Sequence, residues 1–363
     1  MAVLSKGSLF DPVVVTDVFN KVRGKSSLAK LSGAKPLSFN GNSIFTFNMD
    51  SEIALVAENA SKPHGGFSVG TVTVTPLKVV YQGRVSDEFM YASDEAKVDI
   101  LAGFVEGFSA KLAAGLDKMA FHGVNPATGL ASTLITSYFD GSVSNLVAYS
   151  SGTGGDAAIE AASQLLGDYS ANGLAISKTF AGLLAGETKS NGDKKFPELA
   201  WGGQPERLGG LPCDVNATVG PDNYAVMGDF NAFRWGYAKD VTFETIEYGD
   251  PDNSGDDLKN KNQVMLRAEA YIGFAIIDPA AFALVKPKFA VKYDKNGGTG
   301  DAMTAGAYYA DATATVSSNT YTPPATKSFS KWNTKSDGSG TDYAAAATFT
   351  MPAADVTLYA IWA

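Results

Sequence analysis

Asp250-Pro-Asp-Asn-Ser-Gly-Asp-Asp257 has the residue types and the opening rhythm of a calcium loop, with oxygen donors at positions one, three and five and a glycine at six. A hard cation held this way also needs a bidentate glutamate at position twelve, and Lys261 stands there instead. The stretch therefore reads as a solvated hairpin tip. Gly152-Thr-Gly-Gly155 ahead of a helical segment suggests a phosphate cradle, but it lacks the Lys-Ser/Thr pair of a P-loop, so a plain loop is expected. Gly297-Gly-Thr-Gly-Asp301 matches part of a calcium-binding nonapeptide that works only in stacked repeats, and it occurs once. Cys213 has no histidine or basic residue within three positions to form a thiolate, which makes it a small core residue. The two histidines, His64 and His122, lie far apart, and with one cysteine they are poor material for a zinc site or a histidine-based triad. No enzyme activity, cofactor or metal is expected.

The elements that would carry these residues are plainer. Val98, Leu101, Val105, Phe108, Leu112, Leu116 and Met119 recur at steps of three and four, the stripe of one long helix over Asp94–His122. Ser93 is its expected N-cap, Asp94 and Glu95 suit its positive end, and His122 its negative end. Such a helix spans about 40 Å. Gly103, Gly107 and Gly115 each weaken it and are expected to let another backbone pass close by. Ahead of it, residues 51–88 suggest two long strand-like limbs, one with Ile53, Leu55 and Val56, the other with Val69, Val72, Val74, Leu77, Val79 and Val85. Between them lies a polar tip from Glu58 to Gly66 that holds Lys62 and His64. A hairpin of this length overshoots the core of one domain, either as a flap or as an arm for a neighbouring copy. Residues 1–40 hold too few apolar residues for a core and read as an extended arm.

The chain has 363 residues, 45% of them hydrophobic, and a net charge of −9. That charge argues against tight sequence-independent DNA binding, which draws on many Lys/Arg–phosphate contacts. No apolar run is long enough to span a membrane as a helix, and the first fifteen residues lack the pattern of a secretory signal. Composition breaks at Lys286-Pro-Lys288, after which short strands and turn pairs suggest a separate β-rich module of about 75 residues, a size that folds alone.

The ordered set of motifs resembles the major capsid proteins of tailed phages, the Hong Kong 97 fold. It comprises Pro76-Leu77-Lys78, the Val85-Ser-Asp-Glu88 entry to the long helix, the Phe121-His122-Gly123 ending and the Leu208-Gly-Gly-Leu-Pro-Cys213 turn. Ala225 to Phe230 and the closing strand Arg267 to Leu284, with Pro279, Ala281 and Phe282, complete it. Residues 289–363 resemble a different family, the internalin-type B repeat, through Tyr293-Asp-Lys-Asn-Gly-Gly298, Phe329 to Gly340 and Asp355 to Trp362.

These resemblances imply an α+β subunit divided as follows: residues 1–50, N-terminal arm and lead-in strand; 51–90, extended loop; 91–124, spine helix of a peripheral domain; 125–286, axial domain and return strands; 287–363, an exterior β-grasp-like module. They imply hexamers and pentamers tiling an icosahedral head around double-stranded DNA held without sequence-specific contact. Portal and other head proteins are implied too, with a separate scaffolding protein, or no dedicated one, because no scaffolding segment precedes the arm. Assembly would occur in the host cytoplasm. Lys62, Val72, Val74 and Phe19 are the expected inter-subunit contacts, and Trp332 and Tyr343 the candidate aromatics for a host or glycan ligand. The family's Lys–Asn crosslink is not expected, since Lys62 has no identifiable partner. An encapsulin-like compartment and a bacterial surface adhesin are the alternatives, the adhesin disfavoured by the missing signal.

Overall fold

The computed structural model describes residues 25–49, 51–88, 94–149 and 154–363. The expectations placed on Phe19, Ser93 and Gly152 lie outside these residues.

A short helix, α1 (Ser27–Leu31), opens the described chain, capped by the Ser26 hydroxyl, which accepts from the Ala29 amide. It is not the extended arm expected there, because Leu28 and Ala29 are fully buried against the rest of the fold. Asp117 explains the docking: its buried carboxylate accepts from the Ser26 hydroxyl, from the amides of Ser27 (2.9 Å) and Leu28 (3.2 Å), and from the Thr218 hydroxyl at 2.6 Å. Two of these donors are the free N–H groups of a helix start, which an anion satisfies well.

Strand β1 (Asn42–Met49) follows, pairing antiparallel with β2 (Phe67–Val74) in a two-stranded ribbon. The limb that pairs with β2 is thus residues 42–49, not the segment around Ile53 and Leu55, which lies in the long connection between the strands. After Thr75-Pro76 the chain enters a different sheet as β3 (Leu77–Ser86). A proline cannot donate to a ladder, which suits this break.

The spine, α2 (Asp94–His122), is 29 residues long. Leu101, Val105, Phe108, Leu112, Leu116 and Met119 are all buried, as their spacing requires. A tight turn follows it, and then α3 (Phe139–Ser142) and β4 (Leu146–Tyr149). Two helices flank a fully buried strand: α4 (Gly155–Gln164), β5 (Gly173–Ile176) and α5 (Lys178–Gly186). The strands β6 (Arg207–Leu208), β7 (Leu211–Val215) and β8 (Ala225–Gly228) complete the axial region. Two 14-residue strands then run back along the spine, β9 (Phe233–Ile246) and β10 (Gln263–Ile276), before β11 (Phe282–Pro287) returns to the axial sheet.

The peripheral sheet has the order β3-β10-β9 and the axial sheet the order β4-β11-β8-β5-β7-β6. One continuous core joins the buried spine face to Phe233, Trp235, Val241, Ala268, Ala270 and Ile272 of the peripheral strands. Phe243 meets Phe104 and Phe108 edge-on at ring distances of 6.3 and 5.9 Å. The Lys35 and Leu37 amides donate to the Trp235 and Tyr237 carbonyls, laying the segment after α1 along β9. This close approach demands glycine at Gly236, where a Cβ would come within 1.7 Å of the Lys35 carbonyl oxygen. Of the spine glycines only Gly115 is approached, by the Pro126 ring at 3.5 Å; Gly103 and Gly107 face open space.

The carboxy-terminal module spans β12 (Phe289–Asp294), β13 (Gly306–Tyr308), β14 (Thr313–Thr315), β15 (Phe329–Asn333), β16 (Asp342–Tyr343), β17 (Thr348–Thr350) and β18 (Val356–Trp362). Its main sheet has the order β13-β12-β18-β15-β16, with β12 and β18 parallel at the centre. Among the described residues it contains no helix.

Candidate assembly interface

The chemistry-bearing residues turn out to be matched within the chain. The acidic loop after β9 is filled by a cation of the protein's own: Arg84 donates to Asp250 (2.9 Å), Ser254 (2.6 Å), the Asp256 carbonyl (2.9 Å) and both oxygens of Asp252. The guanidinium holds the Asp252 carboxyl far below the usual range and takes the place a calcium ion would have. The amide of Gly155 at the start of α4 donates to the Glu187 carboxylate, which also faces Lys195 at 3.4 Å, so that helix start is occupied as well. Cys213 is fully buried, and burial pushes its thiol up to about 12, beyond the range of a nucleophile.

The aromatics of the module are its core. Trp332 is fully buried, its indole N–H donates to the Ser317 carbonyl at 3.0 Å, and Tyr293 and Phe329 pack on it at 4.8 and 5.1 Å between rings. A ring with no exposed face cannot stack on a sugar, so the surface-ligand role expected of Trp332 is corrected. Tyr343 is half-buried and packed on Phe349 at 5.0 Å.

What the body leaves unmatched is apolar surface. On the ribbon, Phe45, Phe47, Phe67 and Val69 are exposed, with Phe47 and Phe67 stacked at 5.4 Å. In the connection between β1 and β2, Ile53 and Leu55 are 97% and 104% exposed, and Glu52 and Glu58 flank them. Lys62 and His64 lie exposed in the same connection. Val74, expected to face a neighbour, is instead fully buried against Leu37 and Ala275 of its own chain, with Val72 half-buried beside it. Both sit where the ribbon roots in the body, which uses their burial to anchor it.

The same molecule also carries a groove of 660 Å³ between β3, the spine and the loop after it. Leu77, Val79, Tyr81, Phe108, Leu112 and Ile135 form its apolar floor and walls. Lys111 and Lys118 rim it from exposed positions two turns apart on the spine, and Lys78, paired with Glu269 at 2.9 Å, stands opposite. Leu134, exposed, extends the apolar lip. Packed against α5, the turn Pro197–Gly202 presents Trp201 with 103% exposure and a left-handed backbone, φ +61°. Neither the groove nor Trp201 was readable in sequence, since the groove gathers residues from separated segments and a lone tryptophan carries no pattern.

The comparisons with known proteins agree with this geometry. Residues 7–286 match the model of the phage capsid family, and residues 289–361 match the Listeria-Bacteroides repeat domain. A structure from Mycobacterium phage Ogopogo is 33% identical, with a TM-score of 0.64 over 72% of this chain and 92% of that one. A structure from Gordonia phage Cozz, 23% identical, shares the fold with a TM-score of 0.62 over 72% of this chain and 86% of that one. The capsid of an empty GTA particle, computed with C5 symmetry, is 19% identical with a TM-score of 0.52, over 72% of this chain and 89% of that one. No curated protein matches in sequence. With a family match over residues 7–286, most of its length, the chain belongs to the phage capsid family.

Proposed function

We propose that the chain is the major capsid subunit of a tailed-phage head, assembling with copies of itself into hexamers and pentamers around double-stranded DNA. One observation carries this reading beyond the family. The exposed, acid-flanked apolar tip around Leu55 and the lysine-rimmed apolar groove on the spine are complementary surfaces of one molecule. Because they are different patches, their union is heterologous: each subunit gives a tip and receives one, and the contact closes into a ring where the rotation allows. Burying Ile53 and Leu55 there would contribute about 1.5–3 kcal/mol per side chain. Phe19 would add to the contact from the N-terminal arm, and Lys62 from the tip. Assembly takes place in the host cytoplasm with a separate scaffolding protein, and the head then joins a portal and further head proteins. The subunit acts as structure rather than as an enzyme. The carboxy-terminal module, reached directly from β11, faces outward and serves attachment to a host or a glycan.

The test is a charge exchange. Lys111→Glu with Lys118→Glu is expected to leave a folded subunit that fails to form shells, read by negative-stain microscopy and sedimentation. Adding Glu52→Lys with Glu58→Lys is expected to restore them. Shells from the lysine variant alone would remove the tip-in-groove contact. Failure of the unaltered chain to form shells, even with neighbouring head genes co-expressed, would remove the capsid reading itself.

A further inference from the structure

His122, the last residue of the spine, is largely buried where three parts of the body meet. Its Nδ1 lies 2.6 Å from an oxygen of Asp140 on α3, and its Nε2 lies 3.0 Å from the Thr218 carbonyl of the axial region. Both partners only accept hydrogen bonds: a carbonyl oxygen has no proton, and the Asp140 carboxyl is held ionised. Burial alone would raise that carboxyl, but the His122 hydrogen bond and the charge of Lys286, whose Nζ is 2.6 Å away, outweigh it and lower it. A neutral imidazole has one N–H and one lone pair, so it would turn a lone pair toward one of these acceptors. Only the imidazolium, with two N–H groups, satisfies both.

We propose that His122 is a doubly protonated latch that ties the end of the spine to the axial domain, set in acid and released as the solution turns alkaline. The groups that face it are Asp140 on α3, Asp222 on the turn before β8, whose carboxylate is 3.7 Å from Nδ1, and Lys286 at the end of β11. Asp311 of the module adds negative charge on Asp222. The two carboxylates nearest the ring are thus answered by two cations of the chain itself, His122 and Lys286. Desolvation pulls the imidazole down, but Asp140, the Thr218 carbonyl and Asp222 together hold it above its ordinary value. The linkage has one sign: a histidine raised in the folded state adds stability that is complete below its unfolded value of about 6.5 and is lost as pH rises through its folded value.

The direct test is a nuclear magnetic resonance titration of the full chain, selectively labelled with ¹⁵N-histidine in a His64→Gln background, which leaves His122 as the single imidazole. Both ring nitrogens are expected to carry protons at pH 6, with a midpoint above about 6.5 that Asp140→Asn moves downward. A single neutral tautomer at pH 6, or a midpoint untouched by Asp140→Asn, overturns the proposal. As a second readout, thermal unfolding of the unaltered chain and of His122→Gln is compared from pH 5 to 9. The advantage of the unaltered chain is expected to be largest at pH 5–6 and to vanish toward pH 9; an advantage constant across that range also overturns the latch.

Discussion

The body and the carboxy-terminal module join within a few residues of Pro287, yet they dispose of their large apolar side chains in opposite ways. The module draws Tyr293, Tyr321, Phe329 and Phe349 around or beside a fully buried Trp332 and closes on itself. The body builds a core along the spine but leaves Phe45, Phe47, Ile53, Leu55, Phe67 and Trp201 in solvent. Exposed apolar surface on that scale marks an interaction site. The difference separates a part that is finished as a monomer from a part that is finished by its copies.

The largest effect expected from this contrast lies in the module. Trp332→Ala leaves a cavity at its centre and removes an indole hydrogen bond, costing about 3–5 kcal/mol. The module is then expected to unfold in limited proteolysis while the body still assembles; loss of shells would show that the two parts are not independent. Next comes the body's own tie, Asp117. Burial lifts its carboxyl from 3.8 to about 6 despite four hydrogen-bond donors, so the folded body binds a proton there that the unfolded chain gives up. Its stability is therefore expected to fall as pH rises from about 4 to about 6, by roughly 3 kcal/mol at the limit. Asp117→Asn should flatten that window in chemical denaturation and leave the alkaline loss tied to His122 in place. A slope unchanged in the asparagine variant would place the titrating group elsewhere.

The smallest effect is the most pointed. Trp201 holds a left-handed backbone that a side chain adopts at a cost of about 1–2 kcal/mol, while its ring touches solvent. Trp201→Gly is expected to stabilise the isolated subunit by about 1 kcal/mol and to lower the yield of shells. A variant stabilised but equally competent to assemble would show that the ring has no partner.

These contrasts also explain what could be read before the fold was known. The spine was legible because burial of one helix face forces a period, and Leu101, Val105, Phe108, Leu112, Leu116 and Met119 of that stripe are buried. The module was legible through turn pairs and the alternation of Val356 to Trp362, which forms β18. Pairing across the ribbon was not: Ile53, Leu55 and Val56 look like a strand, but register is settled by which segment completes the ladder, and Asn42 to Met49 does so. Nor could sequence show that Arg84 reaches a loop 166 residues away, or that His122 meets an aspartate and a carbonyl from two other elements. Spacing along the chain encodes local periods; charge pairing between distant segments exists only once the core has brought them together.

The central claim is that the tip of one subunit fills the spine groove of the next. Cryo-electron microscopy of assembled shells, at a resolution that traces side chains, tests it most directly. The account predicts Ile53 and Leu55 of each subunit seated between β3 and the spine of its neighbour, Glu52 and Glu58 beside Lys111 and Lys118, and the module on the outer surface. Shells in which that groove stands open to solvent, with the tip folded back on its own subunit, would contradict it.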